Sequence, residues 1–184
     1  MMYWEEKGPA NTEATIEAAL IRAEELEVNS IVVASNSGAT AEKLYEMGKE
    51  FKIICVTHHI GFTGPGEDEM PARMRSALKK KGLELLTTTH LLAGVGRALQ
   101  YRFQGAYPSE IIASALRLFG QGVKVCVEIS VMALDAGLIP YGKEIVAIGG
   151  SGRGADTSCV ITPAHSNNFF DTIVKEIICM PREK

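Results

Sequence analysis

The stretch Ser30-Ile31-Val32-Val33-Ala34-Ser35-Asn36-Ser37-Gly38-Ala39-Thr40-Ala41 decides the fold. Its opening β-branched run shows no polar alternation, as expected of a strand covered on both faces in a parallel sheet. Ser35-Asn36-Ser37-Gly38 ends the strand, and a helix follows through Ala41, Leu44, Tyr45 and Gly48. A buried strand running straight into a helix is the first half of a βαβ crossover.

Working outward, the same pattern recurs. Before this stretch, Ile16, Ala19, Leu20, Ala23 and Leu26 repeat at helical spacing, with Asn11 or Thr12 as a side-chain cap and Glu13 in the first turn. After it come a strand at Ile53 to Val56, a helix through Met70, Met74, Ala77 and Leu78 that stops at Gly82, and a strand at Leu83 to Thr87. Helical stretches then run near Leu91 to Phe103 and Ser109 to Phe119. Further strands fall at Glu144 to Gly149, Thr157 to Ile161 and Ile173 to Cys179. The segment Val123 to Ile129 alternates as a half-buried strand does, but Lys124, Glu128 and Asp135 also share one helical face. Because Val131-Met132-Ala133-Leu134 can only extend a helix, the spacing predicts a helix from Cys126 to Ala136. The expected fold is one three-layer α/β domain over residues 1–184, with a mainly parallel twisted sheet, helices on both faces and one antiparallel strand toward the C-terminus.

Composition narrows the function. The chain is 46% hydrophobic and 22% charged, the make-up of a globular domain, and its net charge of −3 comes with no basic stripe suited to a polynucleotide. Nucleic acid is not an expected partner. Acidic residues near the N-terminus, and the polar residues inside the longest uncharged run, Thr157 to Phe170, argue against secretion and membrane spanning. Cys55, Cys126, Cys159 and Cys179 sit in apolar stretches with no Cys-x-x-Cys pair, which reads as reduced core thiols in a cytoplasmic protein.

Loops leaving the carboxyl ends of parallel strands line one crevice, where helix N-termini present unpaired N–H groups to an anion. The turn Ser35 to Thr40 offers there three hydroxyls, the Asn36 amide and Gly38. Capping of the helix by Ser37 or Thr40 accounts for one hydroxyl and leaves the others over. A second candidate is Gly149-Gly150-Ser151-Gly152-Arg153-Gly154, where glycines permit close backbone approach and Arg153 brings a fork of donors; a mobile hairpin is the alternative.

With Ile31 to Ala41, Ile53-Ile54-Cys55-Val56-Thr57 and Asp135-Ala136-Gly137-Leu138-Ile139-Pro140-Tyr141-Gly142-Lys143-Glu144-Ile145-Val146, the chain resembles the C-terminal α/β domain of pyruvate kinase. The order of elements matches over most of the chain. The resemblance implies that Ser35, Ser37, Gly38 and Thr40 hold a phosphate and that Gly150, Gly152 and Arg153 close over it; Asn36, Thr57 and Ser151 complete the expected binding set. It also suggests flavin mononucleotide as an occupant and a homo-oligomeric, effector-binding role. The family often carries arginine where this chain has Ala39, which argues against an effector of high charge. A chain of 184 residues has no room for the catalytic barrel, so phosphoryl transfer from phosphoenolpyruvate is not expected of it.

Other signals are weaker. Gly94-Val95-Gly96-Arg97 has Leu99 where a dinucleotide fingerprint needs its third glycine. The irregular loop Thr57 to Met70 carries His58, His59 and Glu67, candidates for acid–base work if the loop folds over the crevice; a solvated surface loop is the alternative. Adjacent histidines diverge on an extended chain, so no metal is expected. Leu99 to Phe119, with Tyr101, Phe103 and Tyr107, holds more aromatic surface than one helix face buries, which points to a contact between copies of the chain.

Overall fold

The computed structural model describes residues 1–183. Its strands are β1 (Met2–Trp4), β2 (Ser30–Ala34), β3 (Lys52–Thr57), β4 (Glu84–Thr87), β5 (Ile145–Gly149), β6 (Thr157–Thr162) and β7 (Ile173–Pro181). The helices are α1 (Thr12–Glu25), α2 (Ala39–Met47), α3 (Ala72–Lys80), α4 (Gly94–Phe103), α5 (Pro108–Leu116) and α6 (Gln121–Asp135). One seven-stranded sheet has the order β1-β7-β6-β5-β2-β3-β4. β6 runs antiparallel to β5 and β7, and every other pairing is parallel. This is the expected mainly parallel α/β sheet with its antiparallel strand near the C-terminus.

The unalternated run of β2 is explained by its place in the sheet. Ile31, Val32 and Val33 are all fully buried, but successive side chains point to opposite faces. Ile31 and Val33 enter a core with Ile16, Ala19 and Ala23 of α1 and Leu44 of α2. Val32 enters the opposite core, with Val123, Cys126, Val127 and Met132 of α6. A strand with helices on both sides has no polar face to show.

The ambiguous segment is helix α6, and it starts at Gln121, earlier than the predicted Cys126. Gly120, at φ +105°, turns the chain into it. Gly122 lets the helix ride close on β6, because a Cβ there would lie 2.0 Å from Thr157 Oγ1. Nearly every residue from Gly122 to Leu134 is buried.

The start of α1 departs from expectation. Neither Asn11 nor Thr12 caps it through a side chain. The Asn11 amide donates to the Glu6 carbonyl at 2.7 Å, and the Thr12 hydroxyl donates to Pro9 O and accepts from Ala155 N at 3.0 Å. Thr12 therefore ties the glycine-rich loop to the N-terminal segment. Strand β1, unforeseen in the sequence, completes that tie: it pairs with β7 in the register Met2↔Cys179, and Trp4 Nε1 donates to the Asp156 carbonyl. The buried Asp156 carboxylate accepts from Gly8 N at 2.9 Å and from Ser151 N at 3.2 Å.

All four cysteines are free and buried, and burial pushes the Cys55 thiol up to about 12. No helix among the described residues is long and apolar enough to cross a membrane.

Candidate functional site

The carboxyl ends of β2, β3, β4 and β5 open onto one cleft of about 890 Å³. Its first wall is the β2–α2 turn. Gly38, at φ +91°, is the N-cap residue of α2, and no side chain caps the helix. The Ser35 hydroxyl, turned inward, accepts from Ala41 N at 3.4 Å. Among the described residues no acceptor meets the N–H groups of residues 36–40, nor do the Ser37 and Thr40 hydroxyls find a partner. Ser35, Asn36, Ser37 and Thr40 line the cleft, while Gly38 lies behind it against Met74. The capping alternative thus fails for Ser37 and Thr40, leaving a helix N-terminus with its donors free.

The glycine-rich loop after β5 forms the facing wall. Gly150, Gly152, Arg153 and Gly154 line the cleft, whereas Ser151 turns its N–H to Asp156 and stands outside the lining. A Cβ on Gly150 would sit 2.6 Å from the Gly154 carbonyl, so the loop folds tightly on itself. The Arg153 guanidinium is exposed and has no ion-pair partner among the described residues.

The third wall is the end of β3 and the loop beyond it. The Thr57 hydroxyl is engaged with the His58 carbonyl and Thr87 Oγ1, at 2.8 and 2.7 Å. His58 lines the cleft, stacks on Phe62 with ring centroids 3.7 Å apart, and shares its Nδ1 with Glu69. His59 stands outside the lining, its Nδ1 against the Ile60 carbonyl. Glu67 also lies outside, taking a hydrogen bond from Thr63 at 3.1 Å, so the carboxylate that this loop brings to the cleft is Glu69. Among the described residues no three His, Cys, Asp or Glu side chains group to hold a metal ion.

Among the polar lining residues that sequence reasoning passed over, besides Glu69, are Lys43, His90, Arg97, Arg117, Gln121, Lys124 and Glu128. His90 lies 5.1 Å from His58 between ring centroids, and Arg97 stands over the Phe62 ring. Lys124 and Glu128 form an ion pair with side chains only 9% and 5% exposed, and Glu128 Oε1 also accepts from Leu92 N at 2.8 Å. Their signal was legible, two charges one turn apart on an apolar helix, but not where that face pointed.

Burial holds His90 below the ordinary histidine range, with Glu128 opposing that shift and His58 adding to it. Just below the free-histidine pKa, the unfolded chain then binds more protons than the folded one, so this group makes stability fall as pH falls. The melting temperature should drop between pH 7 and pH 5.5, and His90→Gln should shrink that drop. An unchanged drop in the variant would remove His90 as its source.

Three structures of similar proteins are pyruvate kinases from Cryptosporidium parvum. One is 17% identical, with 84% of this chain matched to 23% of that chain at a TM-score of 0.44. A complex with ADP is 21% identical, covering 84% of this chain and 23% of the other at a TM-score of 0.38. A third is 18% identical, covering 78% and 22% at a TM-score of 0.40. The present chain therefore spans less than a quarter of those proteins. A family model, pyruvate kinase alpha/beta domain, matches residues 13–161, a span that takes in the β2–α2 turn, the glycine-rich loop and nearly all of α1 and β6. The chain belongs to the pyruvate kinase alpha/beta domain family.

Proposed function

We propose that the cleft binds a small molecule through its phosphate, held at the N-terminus of α2 by the backbone and hydroxyls of Ser35 to Thr40 and met from across the cleft by Arg153. The observation that carries this reading is the set of free donors at residues 36–40 beside an uncapped helix end. Unpaired amides and a helix dipole favour an anion there. Arg153, unpaired on the facing loop, supplies a matching cation. Hydrogen bonds to a charged group contribute about 1.5–3 kcal/mol each, so a few of them with a buried ring suffice for micromolar binding.

Ser37→Ala should weaken binding of inorganic phosphate or a phosphate ester by roughly 1–2 kcal/mol, about tenfold. Its melting temperature should stay at the wild-type value, since that hydroxyl makes no cap bond. Calorimetric titration and a thermal melt on one preparation check both; lost stability with intact binding would defeat the phosphate reading.

For the rest of the ligand, family resemblance suggests flavin mononucleotide. Flavin absorbance in protein purified without added cofactor tests it, and colourless protein that takes up no added flavin removes this ligand while leaving the phosphate site standing. The protein acts in the cytoplasm on this reading, as a homo-oligomer joined through the region 99–119. There Tyr101, Phe103 and Phe119 are 74%, 69% and 56% exposed, more aromatic surface than a solvated helix pair normally shows. Sedimentation at micromolar concentration decides that point, and a monomer rejects it.

A further inference from the structure

The cleft contains polar groups that a phosphate does not use. Lys124 and Glu128 are both more than nine-tenths buried and both line it. Burying two charges costs several kcal/mol per ion before their attraction offsets it, and their neighbours on α6 are Val123, Cys126 and Val127. Because the pair is electroneutral, it suits an uncharged polar group better than a second anion. His58 faces the same space from the end of β3. Glu69 occupies its Nδ1, which leaves Nε2 as the free nitrogen, the arrangement that orients an imidazole for proton transfer. These groups come from β3 and α6, whereas the free amides come from the β2–α2 turn. A ligand anchored by its phosphate would thus offer its other end to them.

We propose that this second compartment catalyses proton transfer at a carbon beside the carbonyl of a phosphorylated hydroxy-carbonyl compound, with His58 as the base and the Lys124 ammonium holding the carbonyl oxygen. The inference rests on the phosphate reading above. His58 Nε2 takes the proton from carbon, the C–H electron pair becomes the new C=C bond, and the carbonyl pair moves onto oxygen beside Lys124. The imidazolium N–H exchanges with solvent and then reprotonates the same carbon, so the carbon takes up a solvent proton. If the adjacent hydroxyl proton passes to the first oxygen, the proton returns to the neighbouring carbon and the compound isomerises. The step needs no oxidant, reductant or cofactor.

The test is proton NMR of dihydroxyacetone phosphate in D2O with the intact protein, alongside calorimetric titration of that probe and of inorganic phosphate. The expected result is loss of the probe's carbon-bound proton signal well above the protein-free rate. His58→Gln should slow exchange about 100-fold or more while keeping inorganic phosphate affinity within about twofold. The double variant Lys124→Met/Glu128→Gln, which removes the ion pair without stranding a charge, should slow it similarly. A probe that binds but exchanges at the protein-free rate overturns the proposal, as does wild-type exchange in His58→Gln. Binding of inorganic phosphate without binding of the probe overturns the substrate class. Failure of both to bind defeats the phosphate reading, and this one with it.

Discussion

Lys124→Met alone should destabilise the protein by about 3–5 kcal/mol, because it leaves the nearly buried Glu128 carboxylate without its cation. Glu128 keeps one other partner, the Leu92 N–H, which serves one oxygen and leaves the second without a donor. For a domain of this size that loss lowers the melting temperature by about 6–20 °C. Lys124→Met/Glu128→Gln should recover most of it, since glutamine can still accept from Leu92 and carries no charge. Thermal melts of the single and double variants check the pair; a single variant within about 1 kcal/mol of wild type would show that the carboxylate is not stranded. The exposed pair Lys43–Glu13, 2.7 Å long, gives the contrast: its removal leaves both partners in water and should scarcely move the melt.

Gly38→Val should lose both stability and phosphate binding. Two penalties coincide at this residue. Its φ of +91° is strained for any side chain and worst for a β-branched one, and the added Cβ would lie 2.4 Å from Met74 Cγ and 3.2 Å from Leu78 Cδ1. Strain and overpacking together amount to about 2–5 kcal/mol. The turn that aims the amides of residues 36–40 cannot keep its shape through such a change, so binding of inorganic phosphate should become undetectable by titration. Adding Met74→Ala removes the closer overlap and should return part of the stability, but not the binding, because the φ requirement remains. Near-native affinity in Gly38→Val would refute the role of this turn.

Much of this architecture could be read from residue order, because β2, β3 and β5 are β-branched runs flanked by helices with clean periodicity. The three-residue β1 could not: its pairing with β7 depends on residues almost a whole chain away, and Met2-Tyr3-Trp4 has no pattern of its own. At the site, the Ser35 to Thr40 turn was legible because strand, glycine and helix are consecutive in sequence. The third wall was not. Glu67 and Glu69 sit two residues apart on an irregular loop, and only the tertiary path decides which meets His58. His90 and the Lys124–Glu128 pair join the cleft from the loop after β4 and from α6, segments whose separation in sequence conceals their meeting.

The join between β1 and β7 also orders events in time. Long-range pairings form late because loop-closure entropy is lost before contacts repay it, and few pairings in this chain span more residues than Met2 with Cys179. The segment that β1 leads into supplies Pro9 and Thr12 to the cleft wall and, through Gly8 and Thr12, steadies the loop bearing Arg153. The half of the cleft built on β2 and β3 can therefore mature while the half bearing Arg153 is still loose. The finished cleft becomes one of the last features the folding chain acquires, and the first it sheds when that edge frays.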